Sequence, residues 1–191
     1  MRITGGEVRG RRLESPKGMA IRPTSDRVRE TIFNIIGQDL SGLNVLDLFA
    51  GTGSLGIEAL SRGALHALFV DNSQESINLI RKNLTLCGYQ DSSSVSKGDL
   101  RYGIPRNHLL LKEVFDLVFL DPPYGKNLIP VLLKVLTNTH VLSSGSRVIA
   151  ESWKTDSLPV SFGNLEMLDT RSHGDTTITV FACEVRQDNE S

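Results

Sequence analysis

The chain has 191 residues, 39% of them hydrophobic and 23% charged, with a net charge of −1. That length holds one full α/β domain with a small appendage and excludes two large domains. No apolar run approaches the roughly 20 residues of a membrane span, and Met1 to Gly6 lacks the apolar core of a signal peptide, so a cytoplasmic protein is expected. Cys87 and Cys183 each sit in an apolar context and are expected to be reduced and buried. The four histidines show no ligand spacing with either cysteine, so no metal is expected.

The charge is unevenly spread. Residues 1 to 30 hold eight Lys or Arg against four acids, which leaves −5 for the remainder. A basic segment on a mildly acidic body is the footprint of local phosphate contact. Glycines at 5, 6, 10 and 18 make residues 1–23 a turn-rich hairpin arm that presents Arg9, Arg11 and Arg12. A helix is predicted to start at Thr24 or Ser25 as N-cap, with Asp26 in its first turn where the dipole favours an acid. Val28, Ile32, Ile35 and Ile36 recur at helical spacing as its buried stripe, and Gly37 and Gly42 flank its end. Arg22, Arg27 and Arg29 lie near its amino end, outside that stripe, where plain surface charge is the alternative to a binding role.

From Leu43 strand and helix alternate. Strands are predicted near 44–48, 66–71, 94–97, 115–120 and 146–151, with helices near 54–63, 73–87 and 127–138. Asn72 with Glu75 resembles a capping box, and Gly88 closes that helix. After Glu151 the long helices stop; 165–170 and 176–183 read as two strands joined by a turn-forming segment. Residues 24–185 are expected to form one domain and 186–191 a disordered tail.

Two motifs carry chemistry. Gly51-x-Gly53-x-x-Gly56 follows the first buried strand and opens a helix, which is the context of a nucleotide-binding loop. Asp71 ends the next strand, at the spacing of an acid that grips ribose hydroxyls. A nicotinamide dinucleotide fits these glycines too. Asp47, close to the loop, would repel a pyrophosphate but can accept from a cationic methionine amino group, which favours S-adenosylmethionine. The second motif is Asp121-Pro122-Pro123-Tyr124, directly after the apolar run Phe115 to Leu120. A strand's carboxyl end is where open α/β sheets bind ligands. Two prolines make a rigid corner, and acid, carbonyl and aromatic ring together suit the exocyclic amino group of a nucleobase.

Asp-Leu-Phe-Ala-Gly-Thr-Gly (47 to 53) followed by Asp-Pro-Pro-Tyr (121 to 124) resembles an amino-group methyltransferase of the S-adenosylmethionine-dependent Rossmann-like class. The blocks Arg2 to Gly6, Arg9 to Leu13 and Arg22 to Thr31 resemble more narrowly the bacterial RsmD-type methyltransferases, which modify N2 of a guanine in small-subunit (16S) ribosomal RNA. The likeness runs from Arg2 to about Cys183, with His173-Gly174 where a Tyr-Gly pair is expected. It implies a mostly parallel seven-stranded sheet with an antiparallel last strand. The candidate cofactor residues are Asp47, Phe49, Ala50, Gly51, Thr52 and Gly53 in and before the loop, with Asp71, Asn72, Asp99 and Leu100 after the next two strands. The resemblance implies that Asp99 holds the adenine amino group; a helix cap is the alternative. Asp121, Pro122, Pro123 and Tyr124 are the candidate catalytic residues. Arg9, Arg11, Arg12, Arg22, Arg27 and Arg29 are the candidate RNA contacts, and a monomer acting on ribosomal RNA or an assembling small subunit is expected. Three other functions fit parts of the pattern: a DNA adenine-N6 methyltransferase, a nicotinamide-dependent oxidoreductase, and a non-catalytic RNA-binding module.

Overall fold

The computed structural model of the chain describes residues 1–16, 26–103, 112–123 and 125–184. Five strands run parallel: β1 (Asn44–Leu48), β2 (His66–Asp71), β3 (Ser93–Lys97), β4 (Phe115–Leu120) and β5 (Leu142–Trp153). Three more, β6 (Ser161–Phe162), β7 (Leu165–His173) and β8 (Thr176–Cys183), join antiparallel, giving the order β3-β2-β1-β4-β5-β8-β7-β6. Among the described residues the sheet thus has eight strands where seven were expected; the last strand, β8, runs against the parallel set as expected, β7 turns back into the direction of that set, and β6 opposes it. The extra strand is the two-residue edge β6, paired with Leu165 and Glu166. Two residues are too few for any alternation to register in sequence. β5 also begins four residues before the predicted 146. After the opening Leu142, which pairs with Phe115, Ser143, Ser144 and Gly145 carry no apolar signal, and the register with β4 shifts between Phe115 and Leu117 to accommodate them.

Among the described residues four α-helices cover the sheet: α1 (Asp26–Ile36), α2 (Ser54–Ser61), α3 (Gln74–Cys87) and α4 (Leu128–Thr137). Successive residues of a strand point to opposite faces. Val45, Ala67, Phe69, Leu117 and Phe119 therefore meet α1, α2 and α3 on one side, while Leu46, Leu48, Val118 and Leu120 meet α4 on the other. Burial on both faces is what the continuous apolar runs of β1, β2 and β4 required. Phe33 of α1 packs edge-on against Phe119 with centroids 5.9 Å apart. The predicted N-cap of α1 at Thr24 or Ser25 lies outside the described residues. The cap of α3 is Ser73, whose hydroxyl accepts from the Ser76 amide at 3.3 Å, so the predicted Asn72–Glu75 box is displaced by one residue. Both Asn and Ser cap well, and the one whose side chain faces the open amides prevails.

The amino-terminal segment folds back on itself. Arg2 and Arg12 form an antiparallel bridge, the Ile3 amide donates to the Arg11 carbonyl at 2.9 Å, and Gly10 donates to Ile3 at 2.8 Å. Gly6 makes the turn at φ 74°, where a side chain would run into the Ser61 backbone. Ile3 and Leu13 are buried in the layer shared with α1 and α2, while Arg9, Arg11 and Arg12 are exposed. Among the described residues no helix is long and apolar enough to cross a membrane. Cys87 and Cys183 are free and buried.

Candidate cofactor and substrate site at the carboxyl edge of the sheet

Parallel pairing aligns the strand ends. Leu48 pairs with Val70 and with Leu120, and Leu120 pairs with Ala150. Asp71, Asp121 and Glu151 each follow one of these paired residues, so they fall on one line across β2, β4 and β5, with Asp47 inside β1 between them. Asp99 continues the row two residues beyond Lys97, the partner of Asp71. An edge so rich in carboxylates attracts a cation and repels a pyrophosphate.

The glycine loop sits in the middle of this edge. Phe49 takes φ 60°, a strained value for a bulky residue, and Gly51 and Gly53 follow at φ 55° and 76°. Such strain persists only where the surroundings enforce it. The enforcing contacts are visible: the Gly53 amide donates to the Ala50 carbonyl at 2.6 Å, and Gly51 donates to Asp71 Oδ2 at 2.9 Å. Asp71 also accepts from the Ser73 amide at 2.8 Å, which ties the loop to the start of α3. Asp47, 2% exposed, accepts from the Gly56 amide at 2.9 Å. A Cβ on Gly56 would overlap the Phe69 ring and lie 3.2 Å from Asp47 Oδ2, so this glycine lets α2 lie directly on β2. Burial pushes the Asp47 carboxyl well above its ordinary range; the Gly56 amide opposes that, and the neighbouring Asp121 and Asp71 carboxylates add to it.

The other sequence-predicted residues divide by exposure. Ala50 and Thr52 are buried in the loop, Asn72 is exposed beside Asp71, and Leu100 is buried against Leu48 and Val70. Asp99 is half-exposed and caps a single 3-10 turn, Leu100–Tyr102, accepting from the Arg101 amide at 3.1 Å. Its carboxylate also pairs with the Arg101 guanidinium at 2.6 Å, and these contacts hold it down to about 2. The alternative of a helix cap therefore describes its contacts here. Asp121 is half-exposed, Pro122 buried and Pro123 exposed, and Tyr124 lies outside the described residues. Pro122 and Pro123 border a cavity of about 350 Å³ whose other walls include Lys126, Asn127, Glu151 and Asp156.

Arg29 requires a correction. Sequence placed it outside the buried stripe of α1 as an RNA contact, yet its side chain is wholly buried. It pairs with Asp26 at 2.9 Å and approaches Glu58 at 3.7 Å, and it donates to the Arg2 carbonyl at 2.5 Å. A guanidinium so enclosed cannot reach a phosphate. Arg27 is exposed, and Arg22 lies outside the described residues.

Sequence reasoning also missed what holds the arm. Glu58 of α2, fully buried, accepts from the amides of Thr4 at 2.9 Å and Gly5 at 2.7 Å and from the Thr4 hydroxyl at 2.7 Å. It pairs with Arg62 at 2.8 Å, and Arg62 in turn lies 4.5 Å from the centre of the Phe33 ring and bonds to Gln38. Ser61 donates to the Gly5 carbonyl at 2.7 Å and accepts from the Val8 amide at 3.1 Å. Asn83 of α3 is also fully buried and was equally silent in the sequence. The only available signal was a set of polar residues, Glu58, Arg62 and Asn83, within otherwise helical sequence.

Among the described residues no group of three His, Cys, Asp or Glu side chains could hold a metal ion.

A crossover sheet with antiparallel closing strands, a glycine loop after β1 and Asp-Pro-Pro after β4 define the Rossmann-like methyltransferase class. Solved structures agree with that fold. The Escherichia coli protein yhhF matches with a TM-score of 0.82 at 30% identity, over 96% of this chain and 98% of that one. An RNA methyltransferase from Salinibacter ruber, solved with S-adenosyl-L-homocysteine, matches at TM-score 0.62 and 19% identity, over 89% of this chain and all of that one. The chain belongs to the RsmD family of methyltransferases: the family described as conserved hypothetical protein 95 matches residues 1–182. Ribosomal RNA small subunit methyltransferase D of Haemophilus influenzae is 36% identical over 81% of this chain and 79% of its own length. The protein of that name from Escherichia coli K12 is 29% identical over 100% of this chain and 94% of its own.

Proposed function

We propose that this chain transfers a methyl group from S-adenosylmethionine to the exocyclic N2 amine of a guanine in small-subunit ribosomal RNA, free or within an assembling particle. The observation that carries this reading is the adjacency of the two turns: β4 is the parallel neighbour of β1, so Asp121-Pro122-Pro123 emerges beside the glycine loop. The family membership and the names of the relatives support the ribosomal RNA substrate.

The residues at the edge fit this cofactor. The loop offers a close backbone approach through Gly51 and Gly53. Asp71 is engaged by two amides, but a carboxylate has about four acceptor sites, which leaves capacity for ribose hydroxyls. The strand-end acids Asp71, Asp121 and Glu151 suit a sulfonium and disfavour a dinucleotide pyrophosphate, while buried Asp47 lies behind the loop as an acceptor for the Gly56 amide. When bound, S-adenosylmethionine supplies an electrophilic methyl group on sulfur. Phe49, Ala50, Thr52, Asn72 and Leu100 complete the proposed pocket, with Asp99 at its adenine end.

What the chain itself supplies is alignment. The amine of guanine is a poor nucleophile because its lone pair is delocalised into the ring. Asp121 and the Pro122 carbonyl accept its two N–H groups, which turns the lone pair toward the methyl donor, while Pro123 fixes the corner and Tyr124 stacks on the base. Such positioning lowers a barrier by about 7 to 11 kcal/mol at best. The base must be in a loop or flipped out, at a cost of a few kcal/mol that stacking partly offsets. In this reading residues 1–23 form the arm, with Arg9, Arg11 and Arg12, together with Arg22 and Arg27, meeting phosphates; Arg29 acts from within by fixing Arg2 and Glu58.

Asp121→Ala tests the assignment. It should abolish methyl transfer while RNA binding and affinity for S-adenosylhomocysteine fall only modestly. Wild-type turnover in the variant would refute the orienting role.

A further inference from the structure

The carboxamide of Asn83 lies between the arm and the glycine loop and bonds to both. Its oxygen accepts from the Glu14 amide at 2.8 Å; its nitrogen donates to the Glu14 carbonyl at 3.1 Å and to the Thr52 carbonyl at 2.9 Å. One side chain thus completes both backbone groups of Glu14, as a neighbouring strand would, and spends its remaining N–H on the residue between Gly51 and Gly53. Asn83 is 0% exposed, so no water substitutes for these contacts in the folded chain. Glu14 is two residues from Arg12, and the Leu13 amide between them donates to the Met1 carbonyl at 3.1 Å. A pull on the arm at its arginines therefore reaches Thr52 through one rigid amide.

We infer that Asn83 is a positioning residue that couples RNA binding by the arm to cofactor binding by the glycine loop. The inference rests on the proposed RNA-contacting role of Arg9, Arg11 and Arg12. Its physical content is that the conformation of Gly51-Thr52-Gly53 and the docking of residue 14 share a hydrogen-bonded element, so a ligand that orders one lowers the cost of ordering the other. Coupling of binding free energies is reciprocal: RNA tightens the cofactor by the same factor as the cofactor tightens RNA. In turnover, losing the link raises the KM for S-adenosylmethionine at saturating RNA and leaves kcat near wild type, because Asn83 touches neither the cofactor's methyl group nor the base.

The test is calorimetry of S-adenosylhomocysteine with the full-length chain, with and without a saturating ribosomal RNA fragment. In the wild type, RNA should lower the dissociation constant by at least about fivefold. In Asn83→Ala the ratio of the two constants should fall to about one, whatever happens to each constant separately. A loss of stability alone would weaken both measurements together and leave the ratio unchanged. Lys82→Ala, which removes only the exposed ion pair to Glu14 (2.7 Å), should keep the wild-type ratio. A wild-type ratio of one with RNA bound overturns the coupling, and needs no variant to fold. A wild-type ratio retained in Asn83→Ala removes Asn83 from it. Absence of RNA binding at the outset would instead bring down the RNA reading, and the coupling with it.

Discussion

Replacing Glu58 by Ala should be among the most damaging single changes in this chain, and the size of the effect follows from its contacts. The carboxylate is fully buried and holds Arg62 at 2.8 Å and Arg29 at 3.7 Å while accepting from Thr4 and Gly5. Removing one partner of a buried ion pair costs about 3 to 5 kcal/mol, because the other charge is left without compensation. Here two guanidinium groups lose it. Each keeps some support: Arg62 has the Phe33 ring and Gln38, and Arg29 has Asp26 and the Arg2 carbonyl, which argues for a loss of about 4 kcal/mol and not for the sum of two broken pairs. With a urea m-value of about 2 kcal/mol per molar, the unfolding midpoint should fall by about 2 M. The arm should loosen as well, since its Thr4 and Gly5 amides lose their acceptor, so trypsin should cut after Arg9, Arg11 or Arg12 faster than in the wild type under native conditions. A loss below about 1 kcal/mol, with unchanged tryptic protection of the arm, would refute the claim that this buried network anchors it.

Asp47→Asn tests the electrostatics of the loop. Burial raises the folded-state pKa of Asp47 above its ordinary 3.8, so the stability it contributes is fully present below that value and lost as pH rises through the raised one. Asn keeps an acceptor for the Gly56 amide and cannot ionise, so the urea midpoint of the variant relative to wild type should climb as pH rises above the ordinary carboxylate value and through the raised one; a constant difference would contradict burial as the cause. Changing Arg9, Arg11 and Arg12 together to Ala should weaken RNA binding and reduce the magnitude of the log K against log salt slope by about 2, at about 0.7 per phosphate on a single strand. Equal slopes would take the arm out of the RNA site.

The central sheet could be read from sequence because its strands are apolar runs bounded by turn formers. β1, β2, β4 and β8 have the predicted limits, and the motifs at the ends of β1 and β4 meet because those strands are neighbours. Where signal was absent, the reading fell short. β6 has two residues, and in β5 the opening Leu142 is cut off from the apolar run that begins at Val148 by Ser143-Ser144-Gly145-Ser146-Arg147. Asn72 and Ser73 cap equally well on paper, and only the direction of the Ser73 hydroxyl decides between them. Arg29 was misplaced for a deeper reason. Spacing marks which face of α1 is buried but not what faces it, and here an arginine lies against Glu58, 29 residues away in the chain, with the backbone of Arg2 beside it. Glu58 and Asn83 share that property: a buried polar residue is legible only once its partners are, and theirs include backbone groups of the arm and the loop.

The most direct measurement is mass spectrometry of nucleosides released from ribosomal RNA after incubation with the purified chain and isotope-labelled S-adenosylmethionine. The account predicts label in N2-methylguanosine with wild-type protein and none with Asp121→Ala. Label in N6-methyladenosine, or none in guanosine under conditions where the chain binds both RNA and cofactor, would contradict it.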